Sequence, residues 1–118
     1  MEQIVRIDQL VIGKSYLEIS ANDADEDTLI SSPDISDRFL LLGEPYDHKF
    51  TYSGTAKFFK AIMLQSGREM NLSVNDCGIV SDGEPSYYNN HRTFSCTDEE
   101  WEEVKDMSIE DFFVKYKI

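Results

Sequence analysis

From Lys14 to Ser20 the chain alternates: Leu17 and Ile19 fall on one side, Tyr16, Glu18 and Ser20 on the other. That period of two predicts a strand, and Gly13 marks the turn before it. Phe39 to Leu42 is a short continuous apolar run, the pattern of a buried strand, ended by Gly43 and Pro45. Between 56 and 65 two periods compete. Phe58, Phe59, Ile62 and Met63 fit a helical stripe, with Thr55 as cap and Gly67 as stop. The same stretch, followed by Ser66-Gly67 and the alternating Met70, Leu72 and Val74, fits a hairpin. We favour two strands around that turn, with Ile79 and Val80 extending or following the second.

The period lengthens after residue 96. Thr97-Asp98-Glu99-Glu100 fits a capping box, and Trp101 and Val104 lie three apart on one helical face. Ser108-Ile109-Glu110-Asp111 repeats the signature before Phe112, Phe113 and Tyr116. Two short helices, or one kinked helix, are expected over a tail at 97–117, packing their aromatics on the sheet. The predicted class is α+β: a small twisted antiparallel sheet or partial barrel with C-terminal helices. With 118 residues, no repeat and no dividing linker, residues 1–118 are expected to form one domain.

Charge changes the picture more than hydropathy does. The chain has 23 acidic and 11 basic side chains and a net charge of -12. Such a field repels nucleic acid and anionic membranes and draws in basic partners, so no direct nucleic-acid binding and no membrane binding are expected. No apolar run approaches a membrane span, and Met1 to Arg6 has no signal-peptide pattern, so a cytoplasmic location is expected. Cys77 and Cys96, the two cysteines, make neither a disulfide framework nor a CxxC pair.

Residues 22–37 form an acidic loop holding Pro33 and six carboxylates. Asp23, Asp25 and Asp27 take the first, third and fifth places of a calcium loop, and Ile30 takes the apolar eighth. However, Thr28 stands where that loop needs glycine, and Asp34 where it needs a bidentate Glu. Weak calcium binding is therefore a minor alternative. Gly13-Lys14-Ser15 resembles the end of a phosphate loop, but Asp8 replaces the first glycine and a strand follows, so it is rejected. Zinc would have to use His48, Cys77, His91 and Cys96, which lack standard spacing. Cys96 precedes a helix start, which lowers a thiol pKa, but Asp98, Glu99 and Glu100 oppose that effect. No catalytic constellation stands out, so no enzyme activity, metal or cofactor is expected.

Two surfaces carry recognition chemistry. Asp98, Glu99, Glu102, Glu103 and Asp106 share one helical face opposite Trp101 and Val104. With Asp23, Asp25 and Asp27 they form a candidate surface for a basic protein partner, a negative array able to imitate nucleic acid. The segment from Gly83 to Arg92 is rich in Tyr and Asn. Its Tyr87, Tyr88, His91 and Arg92 form the alternative, a small-ligand or nucleotide site.

The opening Ile7-Asp8-Gln9-Leu10-Val11-Ile12-Gly13-Lys14-Ser15-Tyr16 resembles the start of small phage-encoded accessory proteins with SH3-like barrels. In those proteins a Leu-x-x-Gly-Lys-x-Tyr stretch enters the first strand, and a long loop and a hairpin follow. The resemblance implies a partial SH3-like barrel and a place in mobile-element biology. It carries over no functional residue. The expected function is a non-enzymatic acidic protein that inhibits or masks a basic nuclease or nucleic-acid-binding protein, in phage counter-defence or immunity.

Overall fold

The computed structural model describes residues 1–21, 24–52, 54–79 and 91–116. Its strands are β1 (Gln3–Ile4), β2 (Ser15–Ser20), β3 (Ser36–Leu41), β4 (Tyr46–Phe50), β5 (Gly54–Met63), β6 (Glu69–Ser73) and β7 (His91–Ser95). Two helices follow, α1 (Asp98–Val104) and α2 (Ile109–Tyr116). All strand pairs are antiparallel, in the order β1-β7-β2-β3-β5-β4, with β6 also on β5. Ile62 pairs with both Leu40 and Glu69, and Phe58 with both Tyr46 and Ser73. One edge of β5 therefore carries β3 and then β4, and the other carries β6. Gly43 and Pro45 interrupt what is otherwise a single bent strand from Ser36 to Phe50.

The sheet curls into a half-barrel and buries apolar side chains on both faces. Tyr16, Phe39, Leu41, Phe59, Ala61, Val74, Cys77 and Ile79 fill its concave side. Tyr16 meets Phe39 at 5.7 Å between ring centroids, and Phe39 meets Phe59 at 5.4 Å, within the range of favourable ring pairs. Leu17, Ile19 and Phe94 point to the other side, where Val104, Ile109 and Phe112 cover them. The alternation along β2 thus separates two cores rather than core from solvent, since Tyr16 is as buried as Leu17.

The hairpin reading of 56–65 holds, with β5 and β6 turning at Ser66-Gly67, where Gly67 takes φ of 73°. The helical pattern of Phe58, Phe59, Ile62 and Met63 loses because β5 has partners along both edges. One expectation needs correction. The loop 22–37 stops at Ile35, because Ser36 and Asp37 already belong to β3, and it carries two buried apolar residues, Ile30 and Ile35. Ile79 follows β6, the second of the two expected alternatives, with a one-turn 3-10 helix, Asn75–Cys77, between them; Val80 lies outside the described residues.

That turn ends at Gly78, with φ of 72°. A β-carbon there would overlap the backbone carbonyl of His91, so the turn and the start of β7 pack directly against each other. Gly78→Ala adds left-handed strain to a backbone collision and should lower stability by about 2 kcal/mol or more. Gly43→Ala, in open space and without positive φ, should be close to neutral. Urea unfolding midpoints of the two variants test the contrast.

Candidate functional site

The capping box at the start of α1 forms as its sequence demands. Thr97 Oγ1 accepts from the Glu100 amide at 3.2 Å, and Glu100 Oε1 accepts from the Thr97 amide at 3.1 Å. α2 opens with a looser version, in which Ser108 Oγ accepts from the Asp111 amide at 3.2 Å. With its start fixed, α1 turns Val104 inward and leaves Asp98, Glu99, Glu102, Glu103 and Asp106 exposed. Two of these carboxylates have partners. Asp98 Oδ1 accepts from the buried Arg38 at 2.8 Å, and Glu102 pairs with Lys105 at 2.8 Å. Glu99, Glu103 and Asp106 have no cation within ion-pairing distance among the described residues.

The acidic loop comes to the same place. Its backbone is stitched to the corner between α1 and α2. Ile30 N donates to Met107 O at 2.8 Å, Ser31 N to Lys105 O at 2.8 Å, and Ile109 N to Thr28 O at 2.7 Å. Leu29 and Ser108 form an antiparallel bridge. Segments more than 70 residues apart are thereby joined, and Asp25, Glu26 and Asp27 are exposed on the loop so anchored. Asp23 lies outside the described residues.

A groove of about 470 Å³ runs between this loop and α2. Ala21 and Ala24 line one wall, Ile109, Phe113 and Val114 the other, and Glu26 and Glu110 also border it. Val114 is 72% exposed, a large apolar side chain held in water by a helix whose Phe112 is fully buried.

A smaller cleft, of about 270 Å³, lies on the far side of the sheet. Glu18 and Asp37 are direct partners across β2 and β3, and Glu18 and Thr93 across β2 and β7. His91 Nδ1 is hydrogen-bonded to Glu18 Oε1. Asp76, Asn71 and Ser73 complete the polar lining, over Phe39, Phe58, Met63 and Leu72. Burial pushes the Glu18 carboxyl above its usual range, with Asp37 and Asp76 adding to the effect and the His91 bond opposing it. Burial pushes Asp37 up as well. Three carboxylates facing one imidazole leave the cleft acidic and unsuited to phosphate.

Of the alternative set, His91 lines this cleft. Arg92, one residue on, instead donates from Nη1 to the His91 carbonyl at 2.8 Å and is not among the lining residues. Tyr87 and Tyr88 lie outside the described residues. Cys77 and Cys96 are free and buried. Burial raises both thiols, Cys96 to about 11 despite the nearby Arg38, so the helix start does not activate it. Among the described residues no group of three or more His, Cys, Asp or Glu is placed to hold a metal, and no helix is long and apolar enough to cross a membrane.

A family model described as Phage g100-like protein matches residues 4–103. The chain belongs to this phage family. No curated protein and no solved structure matches it. Family membership agrees with the phage connection drawn from residues 7–16, although neither the SH3-like barrel nor the Leu10–Tyr16 motif gains support from it. The g100-like match runs from Ile4 in β1 through β7 and nearly all of α1, but leaves out α2, whose Val114 projects beside the groove.

Sequence reasoning missed Glu18, Asp37 and Asp76. The available signal was a carboxylate inside a strand that is otherwise apolar on both sides, at Glu18, and another just before Phe39. Because their folded-state pKa values are raised, Glu18 and Asp37 release protons later in the folded than in the unfolded chain. Their contribution to stability therefore falls as pH rises through the carboxylate range. Asp37→Asn should raise the melting temperature at neutral pH, with the gain shrinking toward acid; thermal unfolding across pH checks this.

Proposed function

We propose that the chain is a non-enzymatic binding protein that masks a basic partner with its acidic surface, the partner being a nuclease or another nucleic-acid-binding protein. The observation that carries this reading is the backbone stitching of 28–31 to 105–109, which merges the acidic loop with the exposed face of α1. Charge is also unevenly distributed. Residues 42–74 hold Glu44, Asp47 and Glu69 against Lys49, Lys57, Lys60 and Arg68, a net charge of +1, so the rest of the chain carries -13. An uneven field orients an approaching cationic protein as well as attracting it. Membership of a phage family suits a protein that acts against a host nucleic-acid enzyme, or that protects against one.

The test is charge reversal at positions that do not support the fold. Glu99→Lys, Glu103→Lys and Asp106→Lys together should slow association with a captured basic partner by about tenfold or more at low salt, a difference that shrinks as salt rises. Circular dichroism and the melting temperature should stay close to those of the parent. An unchanged association rate would defeat the reading.

A second reading rests on the cleft beside His91. Its three carboxylates, with Phe39, Phe58 and Leu72 behind them, suit a small organic cation with an apolar body rather than a nucleotide. A thermal-shift screen should then give a rise with aliphatic or aromatic amines that nucleoside phosphates do not reproduce. Equal indifference to both classes would remove this reading.

A further inference from the structure

The groove between the acidic loop and α2 has the chemistry of a helix-binding site. Its walls are apolar, Ala21 and Ala24 facing Ile109, Phe113 and Val114, while Glu26 and Glu110 border it with negative charge. Small residues on one wall leave depth for an incoming side chain, and a volume of about 470 Å³ is of the order that accepts one or two leucine-sized groups. Asp25 and Asp27, the neighbours of Glu26 in the chain, are exposed as well, as is Asp111 next to Glu110. Lys115, the nearest cation along α2, has its Nζ over the Tyr116 ring, 5.5 Å from the centroid.

We propose that this groove receives an amphipathic basic helix of the partner, with leucine- or isoleucine-sized side chains at i and i+4 seated against Val114 and Phe113 and flanking lysines or arginines on the carboxylates. The inference rests on the acidic-surface reading and deepens it. Charge alone gives fast, salt-sensitive encounter, whereas apolar anchors inside a carboxylate border give residence and select amphipathic over merely basic sequences. Helix-in-groove recognition uses this division of labour, with i and i+4 anchors buried and the polar face left wet. A second copy of the same chain fits less well, because two molecules of net charge -12 would bring their most acidic ends together.

The probe is a synthetic peptide of about 18 residues, long enough to hold a helix, with leucines on one face and lysines on the other. A scrambled peptide of identical composition keeps the charge and loses the face. Both are titrated against the full chain at low ionic strength by fluorescence anisotropy, with amide shifts mapped by NMR. The amphipathic peptide should bind about tenfold more tightly than the scrambled one, and Val114→Asp should erase that difference. Val114 is exposed, so this variant should fold, and its amide spectrum away from α2 verifies that. Shifts should gather at Ala21, Ala24, Glu26 and 109–114.

Equal binding of the two peptides, unaffected by Val114→Asp yet lost in the Glu99, Glu103 and Asp106 reversal, would overturn the groove and leave the acidic-surface reading standing. Failure of both peptides to bind would overturn both. Concentration-dependent dimerisation that Val114→Asp dissolves, and that the peptide does not compete with, would put a second copy in the groove and overturn the proposal.

Discussion

A buried guanidinium ties the sheet to the first turn of α1, beside the apolar cluster that packs both helices on it. Arg38 sits on β3 opposite Leu17, 6% exposed, on the face that the helices cover. Its Nη2 donates to Ser15 Oγ at 3.3 Å, to Cys96 O at 3.2 Å and to Asp98 Oδ1 at 2.8 Å. The guanidinium carbon lies 5.7 Å from the centre of the Trp101 ring. A charge withdrawn from water costs several kcal/mol unless geometry and hydrogen bonds offset it, and here the offset comes from three separate segments at once. β2, the residues after β7 and the first turn of α1 must all be in place for Nη2 to keep these partners, while the buried Nε has no hydrogen-bond partner among the described residues. The position of α1, and so of every carboxylate on its outer face, follows from that requirement. Ser15 adds to it, since its Oγ donates to the same Cys96 carbonyl while its own carbonyl accepts from Cys96 N.

Much of this was legible in the chain wherever the signal was local. Gly13 before an alternating run, Ser66-Gly67 between two apolar patterns and Thr97 three residues before Glu100 each specify geometry within a few residues, and each formed. β1, β4 and β7 went unread for different reasons. β1 has only two residues. β4, Tyr-Asp-His-Lys-Phe, has all five residues exposed, so no buried stripe marks it. β7 buries Thr93, a polar residue, which is tolerated because Thr93 Oγ1 donates to the Cys77 carbonyl at 2.6 Å. That partner is distant in sequence and invisible to any periodicity.

The site divides the same way. The acidic face of α1 follows from helical spacing alone. Its union with the loop does not, because nothing in Thr28 to Ser31 announces that its amides and carbonyls pair with residues 105–109. Leu29 and Ile30 were the available hint, two adjacent apolar residues inside a loop otherwise rich in carboxylates. The groove needs both segments, so it becomes visible only once tertiary structure has formed. Glu18 illustrates the converse, since a strand pattern fixes its face but not that a neighbouring strand brings Asp37, read as a loop residue, directly opposite.

The β4–β5 ribbon differs in kind from the rest of the sheet. All five residues of β4 are exposed, and Tyr46, His48 and Phe50 cluster with Phe58 through ring contacts of 4.7 to 6.5 Å. Asp47 and Lys57 pair at 2.8 Å, so the ribbon holds itself together by cross-strand contacts of its own. Its opening would leave the Tyr16–Phe39–Phe59 stack untouched. Amide protons of Tyr46 to Phe50 should therefore exchange with solvent by local fluctuation, while those of β2 and β3 wait for global unfolding. The half-barrel and the outer ribbon are thus secured by different sets of contacts along one continuous backbone.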